Sequence, residues 1–261
     1  MAIIPEALQQ LGSNLPLPTG DQLRMLFSSE LLATYLQRCI LEAIADQAPA
    51  SPAAAEEHLA RLMRQVGLKD VEALDLWCQQ HSVSLSALQQ LATFPLRLQL
   101  ATETIWADDV PGRFLERRSS LDQATLSVLR FDDADLAQEL YFQMLDGDTV
   151  FAQLVDRFGD QPGQPARALI GPVSLDQLHP LLARVAERYA PGAVIPPLEL
   201  NGTAHLIRVE RLQKACLDDA MRQRLLLELR QQWLDQELNS LLGRLALHTP
   251  DSTALASTIT P

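Results

Sequence analysis

The sequence predicts an α+β protein: a helical module built from both ends of the chain, with a β-α-α-β-α-β-β domain between them. Three observations predict it. Apolar residues recur at helical spacing through the first 120 residues. The pattern then switches to alternation at 124–131 and to two β-rich runs flanking Asn201-Gly202, a strong hairpin dipeptide. Helical spacing returns over 217–246. The expected division is 1–120 helical, 121–212 mixed, 213–246 one long helix, and 247–261 a Thr-, Ser- and Pro-rich disordered tail. At 261 residues and 47% hydrophobic, the chain can bury a core without a disulfide or metal staple.

The elements follow in order. From Asp21 to Asp46, the residues Leu23, Phe27, Leu31, Leu32, Tyr35, Ile40 and Ile44 form one apolar helical stripe. Ala48-Pro49-Ala50-Ser51-Pro52 ends it, and Pro52 opens the next helix, with Gly67 as its stop. Asp70 to Gln80 is a third helix. Ser84 caps a fourth, from Leu85 to about Trp106, with a kink expected at Pro95. A short fifth segment holds Phe114, Leu115 and Leu121. Ala124 to Phe131 reads as a strand. Asp132, with Asp135 three residues on, caps a helix through Leu136, Leu140 and Met144 that Gly147 closes. Thr149 to Phe158 is a short helix, and 159–168 a loop. Leu169-Ile170 is a brief apolar run stopped by Gly171-Pro172. Leu181 to Tyr189 is helical, and Val194–Leu200 and Ala204–Leu212 are strands. Leu217 to Leu245 makes a long apolar stripe. It suits docking against the N-terminal helices, whose apolar face is otherwise unpaired, and a client-binding surface is its other reading.

Composition excludes several function classes. The net charge of -12 disfavours a nucleic-acid face, which needs clustered Lys and Arg. It also sets the chain against an anionic membrane surface, and no apolar run approaches a membrane span. Lys69 and Lys214 are the only lysines, so positive charge is almost all Arg. Cys39, Cys78 and Cys216 are odd in number and far apart, which suits reduced thiols rather than a disulfide framework or a zinc site. The N-terminus Met-Ala-Ile-Ile-Pro-Glu carries neither a basic n-region nor a long apolar h-region, so a cytoplasmic protein is expected. No phosphate-binding glycine loop and no nucleophile-elbow motif occurs, and the five histidines lack ligand spacing. No cofactor and no metal are expected. Asp132-Asp133 and Asp218-Asp219 sit at helix starts, where they favour the helix dipole.

The stretch 149–209 carries a family resemblance. Phe151-x-x-Leu154-x-x-x-Phe158 resembles an F-x-x-L-A-x-x-[YF]-S segment, and Ile170-Gly171 the end of a G-G-D-L-G turn. Gln177-Leu178-His179-Pro180-Leu181-Leu182 resembles Q-M-x-P-x-F. Gly192-Ala193-Val194 with Pro197 resembles G-x-V-x-x-P. Thr203 to Val209 resembles a terminal G-Y-H-I-I-x-V strand. These pieces stand in the order found in parvulin-type peptidyl-prolyl cis-trans isomerases, and residues 124–212 are similar to such a domain. Trp77 through Leu100 is similar to the helical N-terminal domain of parvulin-containing foldases, in which terminal helices from both ends form one chaperone module. As a whole the chain resembles cyanobacterial peptidylprolyl isomerase proteins.

The resemblance implies a folding assistant that isomerises Xaa-Pro bonds of unfolded or extended polypeptide clients. Rotation about such a bond meets a barrier of roughly 18–20 kcal/mol and makes or breaks no bond. An apolar pocket that grips the proline ring and excludes water can bind the twisted amide better than either planar isomer. By resemblance, Leu178 and Leu182 stand where the family has Met and Phe. They either line that pocket or fill the core beneath the helix. Val128 replaces a first-strand His, Leu169 replaces an acid or thiol, and Phe158 belongs to the same implied substrate-binding set. His205 alone keeps its polar identity and is the implied catalytic residue, able to orient hydrogen bonds as a neutral imidazole. Its other reading is a half-buried strand histidine bonded to a backbone carbonyl. Gly159 to Pro165 has only Arg157 and Arg167 nearby, so selectivity for phosphorylated Ser-Pro is not expected. With Val128 and Leu169 apolar, the alternative is a non-catalytic chaperone or adaptor that keeps the fold for peptide binding.

Overall fold

The structure, a computed structural model, describes Leu15, residues 18–160 and residues 168–248. The expected tail from 249 onward and most of the 159–168 loop lie outside those residues. Two compact units divide the chain: residues 1–111 with 219–261, and Gly112–Asp218.

In the first unit, α1 (Gly20–Ser28) and α2 (Leu32–Ala45) stand where one helix over 21–46 is expected. The break has a local cause. Ser29 donates its hydroxyl to the Met25 carbonyl oxygen at 2.7 Å, competing with the backbone ladder, and Glu30 adopts φ 60°, which ends α1. The buried stripe is correspondingly shorter than expected. Leu36, Ile40 and Ile44 are buried, whereas Phe27, Leu31 and Tyr35 are exposed.

Ser51 caps α3 (Pro52–Val66) by accepting from the Ala54 N–H, and Gly67 at φ 77° ends it. Asp70 caps α4 (Val71–Gln80), and Ser84 caps α5 (Leu85–Trp106), which contains Pro95. Leu74, Cys78 and Leu88 form a small core beneath α3 and α4. The long α10 (Asp219–His248) packs on α2 and α5, burying Leu225, Leu226, Trp233, Leu234 and Leu241. Leu217 precedes the helix and is exposed.

The second unit starts within α6 (Val110–Leu121) and continues into β1 (Gln123–Phe131). Next come α7 (Ala134–Leu145), α8 (Phe151–Phe158), β2 (Leu169–Ser174), a 3₁₀ turn at Leu175–Gln177 and α9 (Pro180–Arg188). β3 (Val194–Leu200) and β4 (Thr203–Gln213) complete it. The antiparallel sheet has the order β2-β1-β4-β3. Asn201 and Gly202, at φ 52° and 78°, make the tight β3–β4 turn, where positive φ at both positions matches the strand twist.

Two local expectations are corrected. The cap of α7 is Asp133, not Asp132: the extended Asp133 accepts from the Asp135 and Leu136 N–H groups, while Asp132 sits 3.5 Å from Arg130. Nor does Gly171-Pro172 stop the run after Leu169. β2 continues to Ser174 with a register irregularity opposite Ala124 and Leu126. An edge strand tolerates a residue without an N–H, and Gly171, at φ 112°, fits where a Cβ would strike the Ala124 carbonyl oxygen.

The sheet carries a core on each face. On one face, α7 and α8 cover Leu129, Phe131, Ala204 and Leu206. On the other, α9 covers Leu126, Val128, Ile195, Ile207 and Val209. Asp122, buried just before β1, accepts from Lys214 Nζ and the Ala215 N–H, both at 2.8 Å. It thereby ties the start of the sheet to its end.

Candidate functional site

Strand alternation decides which side chains can meet. In β1, Leu126 and Val128 point to the α9 face, so Arg130 does too. In β4, Ile207 and Val209 point the same way, and so does His205. The register sets Val128 opposite Ile207 and Arg130 opposite His205. On the other flank, His205 is paired with Leu198, because β3 bulges between Ile195 and Leu198.

α9 supplies the apolar cover. His179 caps it, its Nδ1 accepting from the Leu181 N–H at 3.3 Å, and Pro180 stands at its first turn. Leu182, 7% exposed, lies in the buried cluster with Val128 and Ile207. Leu178, Leu181 and Leu198 pack on it while partly exposed. Four of the six sequence-predicted site residues, Val128, Leu178, Leu182 and His205, therefore share the α9 face. Val128 and Leu182 form its floor, and Leu178 and His205 lie nearer the solvent.

The His205 ring is half-buried. Its Nδ1 lies 3.1 Å from the Thr203 carbonyl oxygen; an oxygen that only accepts assigns the proton to Nδ1. Burial pushes the imidazole below its ordinary 6.5. The backbone of Thr203 opposes that shift, the Arg130 guanidinium adds to it, and the backbone of Leu198 opposes it weakly. At neutral pH the ring is uncharged. Such a group can orient a hydrogen bond beside an amide without placing a buried charge there.

The other two expected residues lie elsewhere. Phe158 belongs to the opposite core, edge-on to Phe131 at 5.3 Å, because α8 turns Phe151, Leu154 and Phe158 together onto that face. Leu169 pairs with Ser127, one residue out of phase with the Ile170–Leu126 pair that faces α9. It is 46% exposed at the sheet edge. Two neighbours of His205 escaped the sequence reading. Leu198 had a signal, since Pro196-Pro197 inside a strand marks a bulge. Arg130 had only its alternation with Val128. Among the described residues, no cluster of three or more His, Cys, Asp or Glu could hold a metal ion. None of their helices is long and apolar enough to cross a membrane.

No protein-family model and no curated protein matches the chain. Solved structures do. The peptidylprolyl isomerase PrsA from Bacillus cereus superposes with a TM-score of 0.50 at 15% identity, covering 92% of this chain and 95% of that one. The fold is that of the PrsA peptidylprolyl isomerases. The foldase protein PrsA from Streptococcus pneumoniae aligns at 11% identity, TM-score 0.42, over 87% of this chain and 89% of its own. A SurA-like chaperone from Campylobacter jejuni aligns at 14% identity, TM-score 0.27, over 77% and 94%. At 15% identity the likeness to the Bacillus cereus protein is one of fold alone.

Proposed function

We propose that the protein is a folding assistant that binds extended, proline-containing segments of client polypeptides and speeds rotation about their Xaa-Pro bonds. The observation that carries this reading is the grouping of neutral His205 with the apolar cluster under α9 in a chain of PrsA-like fold. Leu178 would contact the proline ring, with Leu182 and Val128 beneath it. His205 would orient the twisting amide. Amide resonance is lost in the transition state, so an apolar, water-poor surface that fits the twisted geometry lowers the barrier without acid or base chemistry.

A second reading is supported by Val128 and Leu169. Val128 fills the core, Leu169 sits on the sheet's other face, and His205 is left without the polar partners that the parvulin resemblance implies. A chain so equipped could bind clients without isomerising them. One experiment separates the two. In a proline-limited refolding assay, acceleration that falls in Leu178→Glu supports catalysis. Suppressed client aggregation with the uncatalysed refolding rate supports binding alone, and neither effect removes both readings. The same proposal puts its place of action in the cytoplasm. The three cysteines are unpaired, as a reducing compartment favours, and cell fractionation tests it.

A further inference from the structure

The first unit contains a groove of about 380 Å³ between α5 and α10 that the proposed reaction does not use. Pro95, Leu226 and Leu227 give it apolar walls, Gln99 and Gln223 add amides, and Arg230 and Thr102 form its polar corner. Leu227 is half exposed, so the walls are open to a ligand.

Arg230 is the unusual member. Its Nη1 donates to Thr102 Oγ1 at 3.2 Å, and its Nε is buried without a partner. No carboxylate pairs with it among the described residues. The neighbouring arginines differ: Arg222 lies 3.7 Å from Glu103, and Arg224 3.1 Å from Glu228. Arg97 also has a buried Nε without a partner, yet its Nη1 meets Asp46 at 2.6 Å. The chain has 33 acidic against 21 basic residues, so a half-buried guanidinium without a carboxylate runs against its composition. Burial alone pulls the Arg230 pKa down, with no counter-charge offsetting it.

A guanidinium at one corner of an apolar groove matches a carboxylate flanked by apolar groups. We propose that this groove binds an acidic side chain carried on an extended, otherwise apolar segment of a client polypeptide, with Arg230 as the anchor. The assignment rests on the client-binding reading above. An acidic side chain is preferred to a terminal carboxylate because a client offers many of the first and one of the second. The amides of Gln99 and Gln223 can serve the backbone of such a segment, since each both donates and accepts.

The test uses the full chain and two short, end-blocked, fluorescent peptides, Ala-Leu-Glu-Leu-Ala and its Gln counterpart, read by anisotropy. The Glu peptide is expected to bind roughly tenfold more tightly, as a charge-assisted hydrogen bond in a partly buried site allows. Arg230→Met should erase that preference, and Arg230→Lys should keep part of it. Leu227→Glu, at an exposed position, should weaken the Glu peptide more than the Gln peptide; it decides the matter if Arg230→Met fails to fold. Equal affinities in the wild type, a preference that survives Arg230→Met, or binding that follows an unblocked C-terminus instead of the Glu each overturn the assignment. Suppressed client aggregation without a Glu preference sinks the groove and leaves the proposed function standing. Absence of peptide binding, aggregation suppression and refolding acceleration removes the two together.

Discussion

Replacing Leu178 and Leu182 one at a time by Ala separates a binding surface from a core. Leu182 is 7% exposed and shares a buried cluster with Val128, Val185 and Ile207, so Leu182→Ala should leave a cavity and cost about 3 kcal/mol. In a unit of about a hundred residues each kcal/mol moves the melting temperature by roughly 4–8 °C, so the melt should fall well over 10 °C. Leu178 is only partly buried, and its truncation should cost about 1 kcal/mol of stability. If Leu178 touches the proline ring in the twisted state, three lost carbons at ~0.8 kcal/mol each can remove about 2 kcal/mol of transition-state binding, roughly a thirtyfold loss. The assay pairs kcat/KM from proline-limited refolding, measured well below the melt of each variant, with thermal unfolding. Leu178→Ala should lose more activity than stability, and Leu182→Ala the reverse. Wild-type kcat/KM in Leu178→Ala, with Leu182→Ala impaired only in proportion to its unfolded fraction, would refute a prolyl site on this face.

Titration of His205 should be visible in stability. Its folded pKa lies below 6.5, so the unfolded chain binds the proton first, and stability falls as pH drops from the unfolded value towards the folded one. His205→Gln should flatten that acid-side loss in chemical denaturation at a series of pH values; an unchanged slope rejects the assignment. Asp122→Ala strips the buried acceptor from Lys214 and the Ala215 N–H and should cost about 1–3 kcal/mol. Lys214→Met should cost under about 1 kcal/mol, because its side chain is 74% exposed; equal losses in denaturant melts would show that the backbone bond contributes nothing. Gly171→Ala combines a positive φ with a Cβ clash against the Ala124 carbonyl and should cost at least about 1–3 kcal/mol; a wild-type melt would show that β2 relaxes freely.

What was legible in the sequence was written in local chemistry. Ser51-Pro52 with Gly67, Ser84 before α5, and Asn201-Gly202 each satisfy backbone groups within a few residues, so side-chain type alone fixes the element end. Adjacent Asp132 and Asp133 can both cap, and composition cannot say which one turns extended. The break at Ser29–Leu31 was hidden because neither Ser nor Glu is a strong breaker. The site was legible to the extent that alternation reaches. His205 follows from Ile207 and Val209 two and four residues on. Its pairing with Arg130 and Leu198 depends on register between distant strands, set by the bulge at Pro196-Pro197. Leu169 fails for the same reason, because a one-residue phase change at an edge strand reverses the face.

On the proposed reading, valine at 128 bears on how this face would act, rather than only on whether it is depleted. A planar amide is more polar than a twisted one, so removing water destabilises the starting state more than the transition state. Val128 adds to the apolar floor that such desolvation needs, whereas a histidine there would bring a second polar ring that required a partner in the core. On that reading the polar chemistry falls to one neutral imidazole held between β1 and β3, opposite Arg130 on β1. Desolvation works only while water stays out, and Leu178 and His205 are both partly open to solvent. If this face is a prolyl site, the client chain itself would have to complete the enclosure. On the proposed reading, rate acceleration should grow with the apolar bulk of residues flanking the proline, because those residues close the cleft that Leu178 leaves open.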